Sequence, residues 1–172
     1  MQMSRDIWVI SDTHFGHSNI IKYCSRPFSS AKEMDDHMIE SWNSVVKDGD
    51  IVYHLGDVYF GEEGRSVLVG NKLKGRKRLI LGNHDNGKDQ ALQSTFQKIV
   101  VWRMFPEFGL LLSHVPLHSS SLERYDEGAL SGKLLNIHGH IHNKPSPSHD
   151  HQNVSVEMIN YTPVNIEELR IK

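Results

Sequence analysis

The sequence predicts an α/β sandwich in which helices cover a sheet. Three observations carry that prediction. Short β-branched runs alternate with segments of helical periodicity in a β-α-β-α-β order. The strand runs are apolar on both faces, as strands buried between layers are. Five of them end at once in a polar loop that contains Asp, Asn or His. In α/β sheets that C-terminal edge is where ligands bind.

The first strand is read at Asp6-Ile7-Trp8-Val9-Ile10-Ser11, and the loop Asp12-Thr13-His14-Phe15-Gly16-His17 follows it. From Ala31 to Val46, apolar residues at Met34, Met38, Trp42 and Val45/Val46 have helical spacing, with Ser30 and Glu33 as a capping box. Lys47-Asp48-Gly49-Asp50 is a turn. The second strand, Ile51 to Leu55, runs into Gly56-Asp57. A helix over Glu63 to Leu73 is expected to stop near Gly75. The third strand, Arg78 to Leu81, runs into Gly82-Asn83-His84-Asp85. Ala91 to Phe96 reads as helix and Lys98 to Val101 as strand. Gly109 to Ser113 is a strand ending at His114, and Leu134 to Ile137 one ending in His138-Gly139-His140-Ile141-His142. Residues 143–153, rich in Pro, Ser, His and Asp, read as a long exposed loop. Val154 to Ile159 reads as a late strand. Thr162-Pro163 before Ile166 to Leu169 reads as a capped final helix with proline at its first position.

The chain has 172 residues, and one domain over 1–172 is the expectation. A net charge of -2 creates no global field that would draw nucleic acid or an anionic membrane, so a phosphate-bearing substrate would need local charge such as a bound metal. One cysteine, Cys24, excludes an internal disulfide and a thiolate zinc cluster. The run Ile7 to Ile10 is too short for a signal-peptide core or a membrane span, which makes the cytoplasm the expected compartment. Histidine is in excess, with twelve, mostly beside Asp, Asn and Gly. Lys72, Lys74, Arg76, Lys77 and Arg78 form a basic cluster. A solvated helix end is the favoured reading of it. A nucleic-acid contact is the weaker one.

Taken singly, these loop motifs are weak signals, because Asp, Asn and Gly are turn residues in any case. Taken in order, Asp12-x-His14, Gly56-Asp57, Gly82-Asn83-His84-Asp85, His114 and Gly139-His140-Ile141-His142 resemble the calcineurin-like metallophosphoesterase superfamily, over about three quarters of the chain. The opening motif, and Trp42-Asn43 ahead of His54-Leu55-Gly56-Asp57, look most like a compact bacterial and phage branch. The resemblance implies a β-sandwich of two mixed sheets flanked by helices, with the site at the C-terminal strand ends. It also implies two divalent metal ions, Mn first with Fe, Ni or Zn as alternatives, a donor chemistry that carboxylate, imidazole and amide oxygen suit.

By that resemblance, one metal is held by Asp12, His14, Asp57 and His142, and the other by Asp57, Asn83, His114 and His140, with Asp57 bridging. Two cations about 3.5–4 Å apart offset the charge of a phosphate ester and lower the pKa of bound water, so that hydroxide attacks phosphorus in line. His84 is expected to contact the phosphoryl group and protonate the leaving group. His17 reaches substrate or is a loop histidine. His54 braces a ligand or is packed in its strand. Asp85 orients His84 or, as favoured, caps the local turn. His118 reads as a surface residue, and His149 and His151 as solvated loop residues.

The implied activity is phosphoester hydrolysis, with a phosphodiesterase acting on small diesters or nucleotides favoured. A phosphomonoesterase of the same chemistry is the alternative, and a non-catalytic scaffold on this fold is a third reading. Serine/threonine protein phosphatases of this superfamily follow Gly-Asp with a nearby Asp-Arg-Gly. Here Val58-Tyr59-Phe60-Gly61 follows, which disfavours that activity. No capping domain like that of the repair nucleases is present, so an open site is expected. A monomer and a homodimer both remain open, with Trp102 available to an interface.

Overall fold

The computed structural model describes residues 5–123 and 132–170. Two sheets stack face to face. The first has five strands in the order β4-β3-β2-β1-β9, and the second four in the order β5-β6-β7-β8. In the first sheet β1 (Ile7–Ile10), β2 (Ile51–His54), β3 (Arg76–Ile80) and β4 (Lys98–Val100) run parallel, and β9 (Val164–Asn165) pairs antiparallel with β1. In the second, β5 (Trp102–Phe105) is antiparallel to β6 (Leu110–Ser113). β7 (Leu135–His138) and β8 (His151–Asn153) continue parallel to β6. This is the α/β sandwich of two mixed sheets that the sequence implies.

Strand alternation explains the layering. Val9, Tyr53, Leu55 and Ile80 point inward and meet Phe105, Leu110, Leu112 and Ile137 of the second sheet. Ile10, Val52 and Leu79 point outward and are covered by helices α1 (Ser18–Tyr23), α2 (Ala31–Val45), α3 (Gly61–Val69) and α4 (Gln90–Thr95). α2 lays Met34, Met38 and Trp42 on that face, as its spacing predicts. A short α5 (Ile166–Leu169) closes the inter-sheet core with Ile166 and Leu169. Among the described residues, no helix is long and apolar enough to cross a membrane.

Several elements differ from their sequence reading. α3 ends at Val69 with Gly70 as its cap, and Gly75 precedes β3 at φ +84°. Leu73 lies beyond the helix end and packs into the core. Six-residue α1 has one buried residue, Ile20, too little periodicity to read. β5 escapes because Val101 alone separates it from β4, so one apolar run crosses from one sheet to the other. The late strand lies earlier than Val154 to Ile159: β8 spans His151–Asn153, and Val156–Met158 is a 3-10 turn. The exposed loop is correspondingly shorter than 143–153. His151 is buried in β8 and bonds Leu117 O, while His149 is exposed. The last helix is capped by Asn165, not begun by Pro163, because Val164–Asn165 first pairs with β1. The basic cluster is divided: Lys77 is buried with its ammonium on Leu73 O and Gly75 O, and Arg78 donates to the Tyr53 hydroxyl.

One buried carboxyl ties a helix to the first loop. Asp35 on α2 accepts the Gly16 N–H with both oxygens, at 3.0 and 2.9 Å. Burial pushes its carboxyl up to about 6, against the pull of the Gly16 hydrogen bond and with help from Asp36 and Glu63. The folded state therefore holds this proton longer than the unfolded chain. The stability it confers is present at low pH and is lost as pH rises through about 4 to about 6. Asp35→Asn keeps an acceptor for Gly16 and removes the titration. The urea midpoint of the variant relative to wild type should rise between pH 4 and pH 6, and an unchanged difference would contradict this assignment.

Candidate metal centre

The parallel strands bring their C-terminal ends to one edge, and the loops beyond them stay zipped together. Asp12 N donates to Gly56 O, His14 N to Asp57 O, and Phe15 N to Val58 O, at 2.9–3.1 Å. The second sheet joins at the same edge: Ser11 N donates to Val154 O, and Val154 N to His138 O. Five loop side chains are aimed inward by a backbone that L-residues seldom adopt. Asp12, His14, Asp57, His140 and His142 all have φ between 50° and 69°. Such conformations cost about 1–3 kcal/mol each and cluster at functional sites. Glycines make room behind them. A Cβ on Gly82 would collide with Asp57 Oδ1, and one on Gly139 with Asp12 Oδ2.

Two groups of donors result. In the first, Asp12, His14 and His142 bring one ligand atom each to within 4.8 Å of one another, and Asp57, His114 and His140 do the same in the second. Asp57 Oδ2 joins the groups, 3.7 Å from His14 Nε2 and 3.4 Å from His114 Nε2. Asn83 Oδ1 stands 2.9 Å from both His114 Nε2 and His140 Nδ1. Thus all seven side chains named from the sequence converge here.

The unmet polar atoms show what the edge is built for. Among the described residues, Asp12 Oδ1 and both ring nitrogens of His14 are buried with no hydrogen-bond partner. Orphaned buried polar atoms of this kind are rare and costly. His114 Nδ1 lies 2.7 Å from Leu55 O, which can only accept, so in the neutral ring the lone pair is on Nε2. That lone pair faces the oxygens of Asn83 and Asp57. Burial pushes His114 down, but the hydrogen bond and charge of Asp57 and the charge of Asp12 outweigh it and raise it. Either a proton on Nε2 or a cation therefore meets those oxygens, and the donor set suits a divalent cation. Burial also pushes His14 down to about 2, against the pull of Asp57, which leaves the ring neutral at pH 7. Burial raises Asp57, but the hydrogen bond and charge of His114, the His84 N–H and His14 outweigh it and bring it down to about 2, hence ionised. Asp12, fully enclosed, is pushed up by burial, a cost that a nearby cation removes.

Around the donors, His84 donates its backbone N–H to Asp57 Oδ1, while its ring is exposed, 5.8 Å from the His14 ring and 5.3 Å from Phe60. His17 stacks on Phe60 at 4.3 Å. Asp85 does not touch the His84 ring: its oxygens accept the N–H groups of Asp57, Val58 and Gly82, which braces two loops. His54 reaches no donor side chain. Thr13 Oγ1 donates to Val58 O and so accepts from His54 Nε2, while His54 Nδ1 accepts from Gly56 N. Burial holds that ring neutral, pushed down to about 3. His118 is exposed and caps a short turn.

Three residues go unmarked in the sequence. Phe60 forms the wall between His14, His17 and His84. Arg26, fully buried, donates to Asp12 O and Thr13 O and pairs with Glu157 at 2.8 Å. Glu157 also holds His142 Nδ1 at 3.1 Å. A carboxylate on one ring nitrogen fixes the tautomer and turns the other toward a metal. His142 and Glu157 also lie close to Cys24, but a cation there would meet the Arg26 guanidinium. Spacing could not reveal Arg26 and Glu157, which stand 131 residues apart.

A sequence profile described as calcineurin-like phosphoesterase matches residues 5–170. An uncharacterized protein of Methanocaldococcus jannaschii is 38% identical, covering 95% of this chain and 88% of its own. The gene 66 protein of Mycobacterium phage L5 is 33% identical over 78% of this chain and 76% of its own. A crystal structure of a protein of unknown function from Aquifex aeolicus superposes with a TM-score of 0.74 at 28% identity, covering 96% of this chain and 98% of that one.

Glu157→Gln removes the charge that orients His142 while keeping its shape. Divalent-cation affinity, read by calorimetric titration on protein shown folded by circular dichroism, should fall about 10–100-fold. The urea midpoint should fall alongside it, because Arg26 loses its buried counter-ion. An unchanged affinity would contradict the orienting role.

Proposed function

We propose that this chain, which belongs to the calcineurin-like phosphoesterase family, is a phosphodiesterase that works with two divalent cations. Family membership makes it a metal-dependent phosphoester hydrolase. The observation that supports two cations is the pair of donor groups sharing Asp57, with buried acceptors that have no other partner among the described residues. The donor set does not separate diester from monoester, and the preference for a diester rests on the open site. Asp12, His14, Asp57 and His142 would hold one ion, and Asp57, Asn83, His114 and His140 the other. Mn is the first candidate for a set of imidazole, carboxylate and amide oxygen, with Fe, Ni or Zn as alternatives. When bound, such ions supply neutralisation of phosphate charge and a more acidic water.

The chain's own residues then do the rest. Water adds across one P–O bond: its oxygen joins phosphorus and one proton leaves to solvent. His84 gives its proton to the departing ester oxygen and is recharged from solvent. Its exposed ring beside Phe60 suits that position, and His17, stacked on the same Phe60, contacts the leaving arm. Asp85 keeps the Asp57 and Gly82 loops in register, which fixes His84 relative to Asp57. The substrate is a small diester or nucleotide. The 172 residues act as one catalytic unit in the cytoplasm, as a monomer or homodimer.

Chelator-stripped protein should lose turnover of bis-p-nitrophenyl phosphate and regain it with Mn, with p-nitrophenyl phosphate a poorer substrate. His84→Ala should lower kcat by about 10²–10⁴-fold, and Asp57→Asn should abolish turnover. Turnover that survives Asp57→Asn sinks the shared-carboxylate reading, and a preference for the monoester sinks the diester reading.

A further inference from the structure

Beside the second donor group lies a cavity of about 650 Å3, far larger than a phosphoryl group needs. Asn83 and His114 stand at its edge, so it is continuous with the site. Its other walls are mostly apolar: Leu81, Trp102, Met104, Leu111, Val115 and Leu117. Trp102 is 55% exposed and Val115 41% exposed, so these apolar surfaces face open space rather than the core. Among the described residues that line the cavity there is no Lys or Arg, so the described walls suit an uncharged group.

The cavity includes none of His14, His17, Phe60 or His84. Those four rings form a separate group, with His84 5.8 Å from His14 and 5.3 Å from Phe60. A leaving arm that takes its proton from His84 lies with that group. A monoester has only that arm and would leave the cavity unused. A diester has a second arm, which stays on phosphorus when the first departs.

On the strength of the reading above, we propose that the cavity between Leu81, Trp102 and Leu117 binds the retained arm of a phosphodiester, and that this arm is an uncharged apolar or aromatic group. Hydrolysis then breaks the P–O bond on the His84 side and releases that alcohol. The product is a monoester still carrying the arm held against Trp102. An indole face that is half open to solvent suits a planar ring, and burying such a ring gains affinity in proportion to its apolar area.

Three diesters that all release p-nitrophenolate, with methyl, phenyl and 1-naphthyl as the retained arm, test this. For Mn-loaded protein, kcat/KM should climb by about 10-fold or more from methyl to naphthyl. Trp102→Ala, and Leu117→Trp, which fills the cavity, should each collapse the naphthyl-to-methyl ratio. A second readout needs no turnover: metal-free protein should bind 1-naphthyl methyl phosphate, followed by naphthalene fluorescence, and both variants should weaken that binding. Equal kcat/KM for the three esters overturns the proposal while leaving the hydrolase reading intact. Absence of turnover on all three, with binding that both variants weaken, removes the hydrolase reading and keeps the apolar subsite. A Trp102-dependent dimer in sedimentation, with no arm preference, would assign the surface to a second copy and also overturn the proposal.

Discussion

The Asp57 carboxylate lies 3.7 Å from His14 Nε2 and 3.4 Å from His114 Nε2, and so links the two donor groups. Its residue is held in the left-handed region at φ 57°. Its N–H is taken by Asp85, its carbonyl by His14 N, and its Oδ1 by His84 N. What remains is Oδ2, directed between two imidazoles from opposite sheets. A negative charge so enclosed is tolerable only where cations or protonated rings face it. The sandwich supplies the partners, because β1 and β2 of one sheet and β6 of the other end at the same edge.

Strain and support balance locally. Five inward-aimed residues occupy a backbone region that would relax in a free loop. Hydrogen bonds between the β1 and β2 loops, Asp85 across Asp57, Val58 and Gly82, and Arg26 on Asp12 O and Thr13 O hold them in place. The Arg26–Glu157 pair is buried, so removing Glu157 would leave the Arg26 guanidinium without its counter-ion, a loss of about 3–5 kcal/mol. That makes Arg26 and Glu157 part of the scaffold and of the His142 orientation at once.

Much of the donor set was legible because its signal is local. The grouping of Asp12, His14, Asp57, Asn83, His114, His140 and His142 as ligands rests on the resemblance of the ordered motifs to a known family, but all lie in loops just past apolar strand runs, which periodicity makes readable. The helix over Ala31–Val45 was legible for the same reason. What escaped depends on contacts far apart in the chain. Arg26, Glu157 and Phe60 carry no motif, and their roles exist only once β1, α1 and the turn after β8 are packed together. The cavity is formed by residues from β5, β6 and the loops beyond β3 and β6, and β5 itself was hidden inside an apolar run shared with β4. The late strand was misplaced because Val154 and Ser155 do pair, with the ends of β7 and β1, but as the last rungs beyond β8 rather than the start of a strand.

Anomalous diffraction from crystals of the Mn-loaded protein tests the central claim most directly. The account predicts two peaks about 3.5–4 Å apart with Asp57 between them. One should lie among Asp12, His14 and His142, and the other among Asn83, His114 and His140. A single peak, or ions held elsewhere with Asp57 unligated, would contradict it.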